Sequence, residues 1–135
     1  MTNIAIHLRS MQFFAHRAHN NVAGPTFFQD HEFLGDLYPA YEAAYDKVVE
    51  REKGLGEKPD LASITVDAAR MAAMYPGVTD GTELVGILLR MEASLCKMIK
   101  AAVPGSTDGT QNLLQGIADD SEARQYQMKQ RTAAP

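Results

Sequence analysis

The chain has 135 residues, enough for one domain with a buried core of its own, and its formal net charge is -4 at pH 7. Apolar residues make up 45% of the sequence and charged residues 22%, as in an ordinary globular protein. We therefore predict a single domain over residues 1–135, and the acidic balance gives no reason to expect nucleic-acid binding by the domain as a whole.

Targeting features are absent from the sequence. It contains no run of about 18 apolar residues, so we expect no membrane span, and its first residues lack the basic-then-apolar order of a secretory signal. The single cysteine, Cys96, has no second cysteine for an internal disulfide. These features favour a cytoplasmic location.

Apolar residues recur at helical spacing, whereas alternating runs typical of strands are hard to find. A first helix is predicted over about residues 3–22, ending at Gly24-Pro25, and a long second helix over about residues 26–53. Pro39 falls in the middle of the second helix, where we expect a bend or a local fault.

Three further helices are predicted over about residues 60–74, 82–103 and 110–131. The last is the weakest because its few apolar residues lie among many polar ones. Four long helices, with a short one between the second and the third, indicate an all-α four-helix bundle. The connection between these two long helices is long enough to cross the bundle.

Side chains that bind metals are concentrated near one helix boundary. All four histidines lie in the first part of the chain: His7, His16, His19 and His31. A solvated or hydrogen-bonded ring is the ordinary interpretation of any one of them, and we keep it for His7 and His16. Asp46 and Glu50 lie four residues apart on the second helix, so their carboxylates share a face, as those of an ordinary acidic patch would.

Helix geometry decides whether these residues can meet. His31 and Asp46 lie on roughly the same side of the second helix but about 22 Å apart along it, too far for one metal ion. If two copies of this helix pack antiparallel about a two-fold axis near Pro39, His31 of one chain meets Asp46 and Glu50 of the other, and the first helix delivers His19. Two imidazoles and two carboxylates suit Fe(II), and Zn(II) would also bind.

The pattern of these residues resembles that of the Dps family, the DNA-protection-during-starvation branch of the ferritin-like proteins. The family pattern is a His, a loop with Gly, an aromatic residue, a second His twelve residues after the first, and then Asp, Glu and Arg on one long helix. Here it reads HNNVAGPTFFQDH over residues 19–31 and DKVVER over residues 46–51. The resemblance, concentrated in residues 13–56, implies a ferritin-like four-helix bundle with a short extra helix in the connection between the second and third long helices.

The resemblance also implies a function. It implies an oligomeric ferroxidase and iron-storage cage that oxidises Fe(II) with hydrogen peroxide or O2, protects against oxidative damage and needs no organic cofactor. Its site would combine His19 and His31 of one chain with Asp46 and Glu50 of another. The assembly would be a homo-oligomer, a dodecamer built from two-fold dimers.

Two positions depart from the family pattern. Asn20 stands where Trp commonly follows the first His, and Gly35 stands where an acidic residue often helps to hold a second metal. Asp36, one helical step further, and Asp30 or His16 are candidate additional ligands. These departures, together with Pro39, favour an alternative, a Dps-like structural or interaction protein with weak or lost ferroxidase activity.

Two further functions depend on charged residues elsewhere. Asp108 is a candidate for an acidic iron-entry pore at a three-fold axis, although a turn or N-cap role explains it equally well. A DNA-compacting role is disfavoured because the two ends of the chain carry few basic residues, namely Arg9, Lys129 and Arg131. We expect weak or no DNA binding.

Overall fold

The computed structural model describes residues 1–134 as five helices: α1 (Thr2–Asn21), α2 (Phe27–Gly54), α3 (Leu61–Ala72), α4 (Gly81–Ala102) and α5 (Asp108–Thr132). α1, α2, α4 and α5 form a four-helix bundle, and the short α3 lies in the connection between α2 and α4, where it packs on α1. The predicted all-α bundle with an extra helix in this connection is confirmed.

Contacts at the helix ends establish the direction of each helix. The Thr2 hydroxyl at the start of α1 donates to Glu52 Oε2 near the end of α2 at 3.1 Å, so these two helices are antiparallel. Arg131, at the end of α5, donates both to Asp30 near the start of α2 and to Thr82 at the start of α4. α2 and α4 therefore run in the same direction, which explains why the connection between them is long.

Apolar side chains spaced three or four residues apart fill the core, as helical periodicity requires. The apolar stripe of α1, continued by its C-cap residue, is buried throughout: Ile4, Leu8, Met11, Phe14, Ala15, Ala18 and Val22. α5 is the exception, since its inward face also carries Ser121 and Arg124. No helix within residues 1–134 is both long and apolar enough to cross a membrane.

Pro39 lies inside α2, which is unbroken from Phe27 to Gly54. Proline has no N–H, so it cannot donate to the carbonyl of the residue four positions earlier, which is Gly35. The fault expected at Pro39 is thus a missing hydrogen bond within a continuous helix. Because α2 is continuous, His31 and Asp46 lie on the same helix with about four turns between them.

Candidate metal centre

His19 in the last turn of α1 and His31 in the second turn of α2 form a stacked pair. Their ring centroids are 3.8 Å apart, with an angle of 17° between the ring planes. Nδ1 of His19 lies 2.7 Å from the backbone carbonyl oxygen of His31, and Nδ1 of His31 lies 2.8 Å from that of His19. The backbone of each helix therefore holds the imidazole of the other.

These two hydrogen bonds determine which ring nitrogens are available to a metal. A carbonyl oxygen can only accept, so in both rings Nδ1 carries the proton and donates it. In a neutral imidazole the other nitrogen, Nε2, then keeps its lone pair. A histidine that binds a metal through one nitrogen usually donates the other N–H to a carbonyl or carboxylate, and both rings meet that requirement.

Aromatic rings enclose the pair on two sides. Phe27 stacks on His31 with centroids 4.9 Å apart, and the Tyr38 ring meets His19 edge-on at 5.6 Å. His16 is exposed and stacks on Tyr38 at 4.1 Å instead of joining the two histidines. The aromatic contacts restrict the motion of the paired rings and place His16 outside the pair.

Gly35 lies directly beneath the His19 ring. A Cβ atom on Gly35 would be 2.9 Å from His19 Cε1 and 3.1 Å from its Nδ1, too close for either atom to stay in place. No acidic side chain can therefore occupy position 35 while His19 keeps this position. The sequence identifies Gly35 as a departure from the family pattern. It does not predict the contact between Gly35 and the His19 ring, because that contact joins two different helices.

The two carboxylates predicted for the site are not beside the histidines of their own chain. Asp46 and Glu50 are exposed on α2, about four to five turns beyond His31. Among residues 1–134, no three His, Cys, Asp or Glu side chains are grouped closely enough to hold a metal ion. One chain thus brings together His19 and His31 and leaves the carboxylates apart.

Asp30, a candidate additional ligand, has a different set of partners. It is 2% exposed, Arg131 donates to its two oxygens at 2.8 and 2.7 Å, and the Thr26 hydroxyl donates to Oδ2 at 2.7 Å. The hydrogen bonds from Arg131 hold the pKa of Asp30 below its ordinary value. Its carboxylate therefore fastens the start of α2 to the end of α5, and fixes the backbone next to His31.

The other two candidate acids are on the surface. Asp36 is exposed on α2, one residue after Gly35. Asp108 is the exposed first residue of α5, where an acidic side chain interacts favourably with the helix dipole. The N-cap itself is Thr107, whose hydroxyl accepts from the Thr110 N–H at 3.2 Å.

Comparisons with known proteins agree with this fold. The family described as the ferritin-like domain matches residues 7–133. The DNA protection during starvation protein 2 of Deinococcus radiodurans is 28% identical over 134 residues, which cover 96% of this chain and 55% of that relative. The crystal structure of Dps92 from Deinococcus radiodurans matches with a TM-score of 0.65 and 26% identity, over 95% of this chain and 80% of that one. The chain belongs to the ferritin-like family. Its similarity to the two Deinococcus proteins supports the Dps branch of that superfamily.

The chain spans 55% of the length of the curated relative that it matches. The similarity to the solved structure extends over nearly the whole chain, 95% of it. The similarity therefore extends over the four helices of the bundle and over the segment between His19 and His31.

A buried charged cluster in the bundle is a feature that sequence reasoning missed. Glu92 of α4 is fully buried, and Arg124 donates to its Oε1 at 2.7 Å and to its Oε2 at 3.2 Å. The hydroxyls of Tyr41 and Ser121 also donate to this carboxylate. Burial, and then the negative charge of Glu92, raise the pKa of Tyr41. The Glu92 carboxylate is occupied by hydrogen bonds from three side chains of the bundle. The cluster is therefore a structural part of the bundle core and not a second metal centre.

One signal in the sequence indicates this cluster. Glu92 lies between Leu88 and Leu95 on the buried stripe of α4, and an acidic residue at such a position requires a partner. The sequence alone does not identify Arg124 as the basic residue that pairs with Glu92.

Proposed function

We propose that this chain is an iron-binding ferroxidase and iron-storage protein whose site is shared between two copies of the chain. The observation that carries the proposal is the His19–His31 pair, in which both Nδ1 protons are bound by the backbone and both Nε2 lone pairs remain for a metal. Combined with the carboxylates of Asp46 and Glu50 from a second chain, they would make a mixed nitrogen and oxygen site that suits Fe(II).

The exposed face of α2 supports a contact with a second copy. Asp46 shares this face with Phe28, five turns earlier, whose side chain is 82% exposed. A contact between two copies through this face would remove the Phe28 ring from water. Pro39 and Ala43 lie on the same face and are small, which permits the close approach of another helix.

A two-fold arrangement of this face would complete two sites at once. The midpoint between His31 and Asp46 falls at Tyr38 and Pro39, so an axis there exchanges the two ends of α2. In an isologous contact, each chain then gives its histidines to one site and its carboxylates to the other. We propose that such dimers assemble into a closed homo-oligomer, a dodecamer as expected for the family.

The proposed chemistry is the oxidation of Fe(II), which is the substrate, to Fe(III). With hydrogen peroxide, two Fe(II) ions give one electron each, and the peroxide takes up two electrons and two protons to become two water molecules. No hydroxyl radical is released when both electrons are used in this way. O2 is the alternative oxidant, and the anionic carboxylates favour the more highly charged Fe(III) product.

The name of the Deinococcus relative refers to DNA protection. For this chain we propose protection by removal of iron and peroxide, without compaction of DNA. The net charge of -4 and the few basic residues at the two ends support this choice.

Iron oxidation by the purified protein tests the proposal. Fe(II) is added without oxygen, hydrogen peroxide follows, and ferric absorbance is recorded for the wild type, His31→Ala, Asp46→Ala and the control Glu57→Ala, which changes an exposed acid outside the site. We expect rapid oxidation by the wild type and the control, and a rate close to that of buffer for the other two variants. If the wild type is no faster than buffer, the ferroxidase proposal is wrong, and a structural or interaction protein with the same fold takes its place.

A further inference from the structure

A second group of metal-binding side chains lies between α1, α3 and α4. A cavity of about 180 Å³ is lined by His7 of α1, Met91 of α4, and Met71 and Met74 at the end of α3. His7 lies about 18 Å along α1 from His19, so this group is separate from the proposed iron site.

His7 supplies an oriented nitrogen. Its ring is 7% exposed, and its Nε2 lies 2.7 Å from the carbonyl oxygen of Met91. Because that oxygen can only accept, Nε2 carries the proton, and Nδ1 of the neutral ring keeps a lone pair. Nδ1 has no hydrogen-bond partner among residues 1–134, and it lies at the part of the ring that solvent can reach. A buried imidazole with one nitrogen held by the backbone and the other free has the arrangement of a metal ligand.

Three methionines, Met71, Met74 and Met91, line the same space. Met74 is 56% exposed, and Met71 is also exposed, although methionine is usually a buried residue. The methionine side chain has three rotatable bonds, so both sulfur atoms can turn into the cavity. Met91 lines the same cavity, and its backbone carbonyl oxygen is the hydrogen-bond partner of His7.

We propose that His7, Met71, Met74 and Met91 bind Cu(I). Thioether sulfur is a soft ligand that selects Cu(I), whereas Mg²⁺, Ca²⁺ and Mn²⁺ favour carboxylate oxygen, and none of the residues found to line the cavity is acidic. All four ligands are neutral, which suits an ion of single charge. Arg90 also lines the cavity, but it is exposed, so water and salt screen the repulsion between its charge and the ion.

Competition with a coloured chelator tests this site. Cu(I) is supplied without oxygen as its bicinchoninate complex, and the loss of colour measures transfer to the protein. We expect the wild type to remove one Cu(I) per chain, with sulfur scatterers in the copper X-ray absorption spectrum. The double variant M71L/M74L conserves side-chain volume, so it should fold normally and bind Cu(I) at least about tenfold more weakly.

Two control variants distinguish this site from the methionines of the core and from the proposed iron site. M11L/M128L removes the same number of thioethers from the buried core and should bind Cu(I) like the wild type. His31→Ala alters only the proposed iron site and should also leave Cu(I) binding unchanged. The proposal is overturned if the wild type takes up no Cu(I), if M71L/M74L binds as tightly as the wild type, or if His31→Ala alone abolishes binding.

Discussion

The imidazole of His19 occupies the space that a side chain at Gly35 would need, since a Cβ atom there would be 2.9 Å from His19 Cε1. The absence of a side chain at Gly35 lets the ring lie against α2, where its Nδ1 reaches the carbonyl oxygen of His31 at 2.7 Å. The glycine that removes one ligand from the family pattern is thus the residue that permits the stacked histidine pair. The position of the His19 ring therefore depends on the absence of a side chain at Gly35.

Gly35→Ala should weaken metal binding without harming the fold. The added methyl group pushes the His19 ring away and breaks its hydrogen bond to the His31 carbonyl, and loss of such an orienting bond typically costs about 10-fold to 100-fold in metal affinity. The measurement is the anaerobic titration of the protein with Co(II) or Fe(II).

Gly116→Ala is the matched control for this experiment. Gly116 is also inside a helix, α5, and a Cβ atom there would meet nothing within 4 Å. Gly116→Ala should raise helix stability by roughly 0.5–1 kcal/mol, whereas at Gly35 the contact with the His19 ring opposes that gain. Equal metal affinity in Gly35→Ala and Gly116→Ala would contradict the role given to Gly35.

Arg131→Met should destabilise the protein at neutral pH. It leaves the buried Asp30 carboxylate with the Thr26 hydroxyl alone, and we expect a loss of about 2 kcal/mol in the free energy of unfolding, near the middle of the range for a hydrogen bond to a charged group. The loss is smaller than for a fully buried pair because Arg131 is 27% exposed. Thermal unfolding at one protomer concentration measures it, and Lys129→Met, an exposed change on the same helix, should have almost no effect.

The effect of Arg131→Met should depend on pH. The hydrogen bonds from Arg131 lower the pKa of Asp30 in the folded protein, so this carboxylate stabilises the fold fully above its unfolded pKa of about 3.9. That contribution disappears as the pH falls through the lower, folded pKa. The difference in stability between wild type and variant should therefore be largest near neutral pH and shrink below about pH 4. A difference that stays constant to about pH 3 would show that the ion pair is not its source.

Arg124→Met should be more damaging than Arg131→Met, because Glu92 is fully buried and would keep an uncompensated charge. Breaking such a pair typically costs about 3–5 kcal/mol. The double variant Glu92→Met with Arg124→Met removes both charges and should recover much of this loss. Unfolding of both single variants and the double variant in urea gives the coupling energy, and strictly additive losses would contradict the proposed pairing.

Local patterns in the sequence were sufficient to predict the fold. All five helices lie within a few residues of their predicted positions, because apolar periodicity and the Gly and Pro breaks act over short distances. α3 ends at Ala72, two residues before its predicted end, and Tyr75 has a φ of 58°. A positive φ cannot continue a right-handed helix, and Arg17 of α1 donates to the carbonyl oxygens of Ala72 and Met74, both at 2.7 Å. This contact between helices ends α3 earlier than periodicity alone suggests.

The candidate site could be predicted only in part. The spacing across the Gly24-Pro25 turn predicts that His19 and His31 lie together. It does not predict that Nδ1 of each ring is hydrogen-bonded to the backbone carbonyl oxygen of the other residue. Asp30 is a candidate additional ligand in the sequence because Gly35 leaves the family's acidic position empty, whereas its partner Arg131 is 101 residues away. No local pattern connects residues so far apart, and their contact exists only because the start of α2 lies beside the end of α5.

Subunit exchange between two inactive variants tests the shared site most directly. His31→Ala and Asp46→Ala are mixed in equal amounts, partly unfolded, refolded together and assayed for peroxide-driven oxidation of Fe(II), with each variant and the wild type taken through the same treatment alone. If each site takes its histidines from one chain and its carboxylates from the other, half of the dimers are mixed and each has one intact site, so the mixture should recover roughly a quarter of the wild-type rate. No recovery in the mixture, while the treated wild type regains its activity, would contradict a site shared between two chains.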